Sequence, residues 1–249
     1  MKPRRIILIR HGESEGNVDR NVYSQKPDYA LNLSAKGEEQ AQAAGHKLVE
    51  IIGNEGWLGH LTPGLKTQFY VSPLFRTRQT FEQIVKAFPD KEHIKWKEDP
   101  RLREQEWGHL KSVEECAAID EARDAYGPFY YRIPDGESAA DAYDRVSDFF
   151  STMYRDFDKN NFPENAVIIT HGMTIRLFLM RWFHYSVEQF ENLKNPENCK
   201  IVVLDRTDAT GHLQHKYTLR TEMTLDPPTH KYQRPVNIHY EKAQQVAPL

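Results

Sequence analysis

The chain has 249 residues, a length that suits one decorated α/β domain better than two. With 39% apolar and 28% charged residues it has the composition of a globular protein, and a net charge of −3 offers no bulk attraction for nucleic acid. Cys116 and Cys199 form no CxxC pair, which argues against a disulfide framework or a thiolate zinc site and fits a reducing, cytoplasmic setting; no run of 18 apolar residues provides a membrane span.

"RRIILIR" reads as a short buried strand, β-branched and stopped by His11 and Gly12. Its apolar core of four residues is too short for a secretory signal. The polar stretch "GESEGNVDRNVYSQKPDYALN" reads as a loop. Ser34 can cap a helix over about 35–53, with Ala41, Ala44, Leu48, Ile51 and Ile52 on its inner face. "TQFYVSP" is a second strand, "LFRTRQTFEQIVKAF" a helix and "HIKWKED" a third strand. Residues 99–136 have no clear period, although "VEECAAIDEARDAYG" can form a helix. Ser138 caps the strongest helical pattern, whose stripe runs Ala139, Ala142, Tyr143, Val146, Phe149, Phe150, Met153 and Phe157. "NAVIIT" is another buried strand and "GMTIRLFLMRWF" a largely apolar helix. "CKIVVLDRT" and "LQHKYTL" read as paired strands, and the Pro-rich residues 218–249 as a tail or strap.

This alternation predicts a three-layer α/β sandwich: a mostly parallel central sheet with helices on both faces. Ligands of such sheets bind outside the carboxyl ends of the strands. Three strand ends carry the unusual residues: Arg10 and His11, then Arg76 after "SPLF", then His171 and Gly172. Two histidines and two arginines on one rim make an anion site, and phosphate is its natural guest. A neutral imidazole can take the phosphoryl group as nucleophile while the other holds its oxygens. The leaving oxygen needs a proton donor, for which Glu104 and Glu106 in "RLREQEWGHL" are candidates. Arg78, two residues beyond Arg76, should face elsewhere.

"LIRHGESEGN", "SPLFRTRQT", "LREQEWGHL", "PDGES" and "THGMTIR", in that order, resemble the motifs of the histidine phosphatase, or phosphoglycerate mutase-like, superfamily. The resemblance implies the phosphoglycerate mutase-like fold and makes His11 the phosphohistidine. It places Arg10, Arg76 and His171 around the phosphate, Asn17 and Gly172 among its contacts, and Glu104 as the acid/base, with no metal. A single domain over 1–217, with 99–136 as an insert covering the site, is the corresponding division. The Gly-Trp pair and the Gly-Leu-Asn-Lys stretch of the cofactor-dependent mutases are absent, and "HGMTIR" stands where they have "HGNSLR". The sequence is similar in its later segments to plant and fungal mutase-like proteins. A phosphomonoester hydrolase acting on a small phosphorylated metabolite is therefore expected. The alternatives are a phosphoglycerate mutase, with 2,3-bisphosphoglycerate as primer, and a non-catalytic phospholigand-binding module. No nucleic-acid or membrane partner is expected, and oligomeric state is not encoded in any motif.

Overall fold

A computed structural model describes residues 2–53, 66–89, 91, 94–109, 112–207 and 216–225. The elements run β1 (Arg5–Arg10), α1 (Glu15–Val18), α2 (Ala35–Gly53), β2 (Thr67–Val71), α3 (Phe75–Val85), β3 (Ile94–Glu98), α4 (Val113–Tyr126) and α5 (Ala139–Phe157). They continue with β4 (Asn165–Thr170), α6 (Gly172–Phe183), α7 (Val187–Glu191), β5 (Ile201–Thr207) and β6 (Lys216–Leu219).

Among the described residues the strands form one sheet in the order β3-β2-β4-β1-β5-β6. The first four are parallel, while β5 is antiparallel to both β1 and β6. The expected mostly parallel sheet thus holds for β1 to β4, and the C-terminal edge is antiparallel. The cause is chain economy. A short connection between β5 and β6 needs no crossover helix, whereas each parallel step does.

Strand alternation explains the two layers of helices. Ile6, Leu8, Tyr70, Ala166, Ile168, Val202 and Leu204 point to one face and pack with α5 and α6. Ile7, Ile9, Phe69, Val71, Val167, Ile169, Ile201 and Val203 point to the other, against α2 and α3. Strands buried on both faces read as continuous apolar runs, which is what "IILI" and "AVII" are. The helix caps follow the sequence too. The Ser34 hydroxyl accepts from Gly37 N–H at 3.0 Å, and Ser138 accepts from Asp141 N–H at 3.1 Å.

Three local expectations change. Residues 15–18 and two 3-10 turns at Arg20–Ser24 and Asp28–Ala30 replace the plain loop expected after His11. Helix α7 was hidden in a polar stretch and is capped by Ser186. The boundary at 217 falls inside β6, where the Tyr217 hydroxyl donates to the Pro3 carbonyl. The chain then stays on the domain: Thr221 accepts from Val203 N–H at 3.0 Å, and Leu225 bridges to Leu193. The rest of the expected tail, 226–249, lies outside the described residues.

Phe149 is fully buried on α5, its ring 5.3 Å from Tyr70 and 5.7 Å from the Arg101 guanidinium. Phe149→Ala should lower the unfolding free energy by about 3–5 kcal/mol. Urea denaturation checks this, with the midpoint falling at unchanged slope.

Candidate active site

The register of β1 against β4 pairs Arg10 with Thr170, so the next residue of each strand emerges beside the other. Those residues are His11 and His171. Their ring centroids lie 5.2 Å apart at 61°, and both rings are buried. The His11 N–H donates to the Thr170 carbonyl at 2.9 Å, fastening the two strand ends together.

Hydrogen bonding assigns the tautomer of His11. A carbonyl only accepts, so His11 Nδ1 must donate its proton to the Gly12 carbonyl at 2.7 Å. His11 Nε2 then carries a free lone pair. The Ser72 hydroxyl and His171 Nε2 are 2.7 Å apart, while His171 Nδ1 is buried without a partner among the described residues. If Ser72 donates, Nδ1 holds the proton and presents it to whatever occupies the space between the rings. Burial, then the charges of Arg76 and Arg10, push the pKa of His11 well below the ordinary imidazole value. Burial, then Arg76, His11 and Arg10, do the same to His171. Both imidazoles are therefore neutral at physiological pH, as a nucleophile requires.

Arg10 is the last residue of β1, and its Nη1 donates to the Pro196 carbonyl at 2.7 Å while its Nε is buried without a partner. Arg76 starts α3 and is buried. Its Nη1 donates to the Asp28 carbonyl at 2.8 Å and pairs with the Asp28 carboxylate at 3.1 Å, which ties the loop before α2 to the pocket. Gly12 allows the close approach that the geometry needs. A Cβ there would collide with the Gly37 carbonyl on the first turn of α2. Its N–H donates to Thr80 on α3 at 3.0 Å.

Glu104 is brought to the same rim by a platform that spacing could not reveal. The Thr170 hydroxyl donates to the Leu102 carbonyl at 2.6 Å, and the Thr174 hydroxyl to Arg103 at 3.0 Å. Arg145 on α5 donates to the carbonyls of Arg101, Arg103 and Glu104 at 2.8, 3.0 and 3.0 Å. Glu137 of "PDGES" holds Arg145 at 2.6 Å and Arg103 at 2.7 Å. The Glu104 carboxylate accepts from Met173 N–H and the Thr174 hydroxyl, both at 3.3 Å, at the positive end of α6 directly after His171. Glu106 is exposed and carries only a backbone link to Glu137, consistent with its place outside the motif.

Asn17 lies on α1, where its Oδ1 accepts from Ser14 N–H at 3.1 Å and from Asn198 Nδ2 at 3.2 Å. Asn198, which no motif flagged, also donates to the His11 carbonyl at 3.1 Å. Gly172 opens α6, and a Cβ there would press on Asn195 at 3.0 Å. Arg78 turns away and pairs with Glu98 at 2.7 Å, as expected. Tyr130 is exposed and Arg132 pairs with Asp141 at 2.6 Å. Tyr23, also missed, lies over Gly16, where a Cβ would meet its hydroxyl at 2.6 Å. No cluster of three or more metal-binding side chains exists among the described residues, and no described helix is long and apolar enough to cross a membrane.

A buried pair of neutral histidines, with two arginines and a carboxylate, at the carboxyl ends of parallel strands, makes a pocket whose chemistry suits a phosphoryl group. The profile of the histidine phosphatase superfamily (branch 1) matches residues 6–218, and the chain belongs to that superfamily. That superfamily is one of enzymes built on phosphohistidine chemistry that needs no metal. The chain is 44% identical over 209 residues to a phosphoglycerate mutase-like protein, AT74, of Arabidopsis thaliana, covering 82% of this chain and 65% of that one. It thus spans just under two thirds of that relative's length. It is 28% identical to a broad-range acid phosphatase, DET1, of Saccharomyces cerevisiae, over 88% of this chain and 89% of the relative. Among solved structures, one titled mycobacterial hydrolase 1 superposes with a TM-score of 0.65 at 21% identity, over 90% of this chain and 99% of its own, which supports the fold.

The depressed pKa values of His11 and His171 have a sign for stability. The unfolded chain protonates these imidazoles below about pH 6.5 whereas the folded chain does not, so folding loses free energy as the pH falls through that value. Each group contributes a slope of up to about 1.4 kcal/mol per pH unit. Urea midpoints between about pH 7.5 and about pH 5.5 should fall more steeply for the wild type than for His11→Asn.

Proposed function

We propose that the protein is a phosphomonoester hydrolase that works through a phosphohistidine on His11. The observation that carries this reading is the buried His11 ring beside His171, its Nδ1 proton given to the Gly12 carbonyl so that Nε2 is left unprotonated, within the fields of Arg76 and Arg10. In the first step His11 Nε2 attacks phosphorus, the P–O ester bond breaks, and the leaving oxygen takes a proton from the Glu104 carboxyl. Arg10, Arg76, Asn17, the Gly172 turn and the His171 Nδ1–H hold the phosphoryl oxygens as charge moves onto them. In the second step water attacks phosphorus, Glu104 takes its proton, the P–N bond breaks, and phosphate leaves a neutral imidazole behind. The substrate is a small phosphorylated metabolite, and no metal enters the scheme. Residues 1–217, with the start of the former tail, act as one catalytic domain, and 99–136 lie beside the mouth of the site.

A phosphoglycerate mutase primed by 2,3-bisphosphoglycerate would use the same side chains and pass the phosphoryl group to a second hydroxyl. The lack of the mutases' Gly-Trp and Gly-Leu-Asn-Lys stretches supports water as the acceptor.

His11→Ala should abolish release of phosphate from an aryl phosphate, and wild-type rates in that variant would overturn the scheme. His171→Ala should still form the phosphoenzyme, at a rate lower by on the order of 100-fold. Glu104→Gln should cost about 100- to 10,000-fold with alkyl phosphates and far less with aryl phosphates, whose leaving groups need no proton. Rapid-quench labelling with a phosphodonor and steady-state phosphate release measure these outcomes.

A further inference from the structure

Between α7 and β5 the chain folds around the carboxyl end of β1. The Pro196 carbonyl accepts from Arg10 Nη1 at 2.7 Å, and the Cys199 N–H is shared between the carbonyls of Arg10 and His11 at 3.1 and 3.3 Å. Cys199 adopts a φ of 57°, a left-handed backbone uncommon outside glycine and of the kind that collects at functional sites. The turn is anchored beside the other histidine as well. Asn195 Oδ1 accepts from Arg176 Nη1 on α6 at 3.3 Å, and Asn195 packs so closely on Gly172 that a Cβ there would meet it at 3.0 Å.

Asn198 lies on this turn and is half-buried. Its Nδ2 carries two protons, and both are used. One goes to the His11 carbonyl at 3.1 Å and the other to Asn17 Oδ1 at 3.2 Å. These partners are 187 and 181 residues away along the chain, so no spacing in the sequence reveals the link. A carbonyl only accepts, which settles the orientation of the Asn198 amide.

The amide of Asn17 is settled by the same logic. Its Oδ1 meets the Ser14 N–H at 3.1 Å, the Ser14 hydroxyl at 3.2 Å and the Asn198 amide. A reversed amide would set its NH2 group against the Ser14 N–H and the Asn198 NH2, two donors with nothing to accept. Oδ1 therefore stays on that side, and Nδ2 is directed away from it. Asn17 is exposed, so this second end of the amide is open to a ligand.

We propose that Asn198 is a positioning residue for the phosphoryl group. It steadies the backbone of His11 and turns the Asn17 amide so that Nδ2 donates to a phosphoryl oxygen. Asn198 itself does not touch that group. Its role rests on the phosphohistidine reading given above, because that reading puts the phosphoryl group against His11 and Asn17. Donors fixed in this way need no rearrangement when charge builds on the oxygens.

A double-mutant cycle tests this in the His11→Ala protein, which keeps the backbone carbonyl but cannot form a phosphoenzyme. The probe is inorganic phosphate, followed by calorimetry. Asn198→Ala should weaken phosphate binding by about 3- to 10-fold, the range of one well-placed hydrogen bond. With Asn17→Ala already present, the same change should cost about 1.5-fold or less, because the contact it supports is gone. A merely structural role would give equal losses in both backgrounds. A thermal melt confirms that each variant is folded; should Asn198→Ala fail to fold, Asn198→Ser is judged by the same cycle. Equal losses, or no loss in either background, overturn the proposal. Aryl phosphate hydrolysis by the wild type tests the phosphohistidine reading independently. Hydrolysis with an additive cycle refutes the role of Asn198 alone. A coupled cycle without hydrolysis refutes the hydrolase and leaves the control of Asn17 by Asn198 standing.

Discussion

The parallel register of β1 on β4 is the constraint on which the rest depends. Because Arg10 lies opposite Thr170, His11 and His171 leave the sheet side by side and need no loop to bring them together. A shift of one residue would send one imidazole into the opposite helical layer, since side chains alternate across a strand. The register is held on both faces by fully buried aliphatic side chains, so it is expensive to change. The strand on the other side of β4 obeys the same geometry. Val71 of β2 lies opposite Ile169, which brings Ser72 within hydrogen-bonding reach of His171 Nε2.

From that rim outward the site is built from borrowed rigidity. Glu104 lies on an irregular segment, yet Thr170, Thr174 and Arg145 hold the three backbone carbonyls from Leu102 to Glu104. Glu137 in turn neutralises Arg145 and Arg103. The Thr170 contact in this platform is buried and the Arg145 contacts are half-buried, where hydrogen bonds to charged groups are stronger than in water. Close backbone crossings complete it. Gly108, at a φ of 68°, and Gly136 let the segments around Glu106 and Asp135 touch where any side chain would clash.

Electrostatically the site is a cationic pocket in a chain of negative net charge. Burial, reinforced by Arg76 and Arg10, keeps both histidines neutral, and the two guanidiniums give an anion its reason to enter. Carbonyl and carboxylate groups from Pro196 and Asp28 hold the two guanidiniums in place. Their charge is therefore present and oriented before any anion arrives.

Much was legible in the sequence because it is local. Apolar runs of fixed period announced β1, β2, β4, α2 and α5, and Ser34 and Ser138 announced two helix starts. The residue types at the strand ends named His11, His171, Arg10 and Arg76 as a set, and the resemblance to the histidine phosphatase motifs singled out Glu104 over Glu106. What the sequence did not carry depends on contacts between residues far apart along the chain. The antiparallel turn of β5, the Asn198 contact to His11, the Arg145 and Glu137 platform and the pairing of Asp28 with Arg76 have no periodic signature. The tautomer of His11 is of the same kind, since a carbonyl supplied by the folded chain decides which nitrogen keeps its proton. The sequence alone determined which groups could do the chemistry; only the tertiary structure decided their protonation, their orientation and the neighbours that hold them, because those follow from burial and distance rather than from order along the chain.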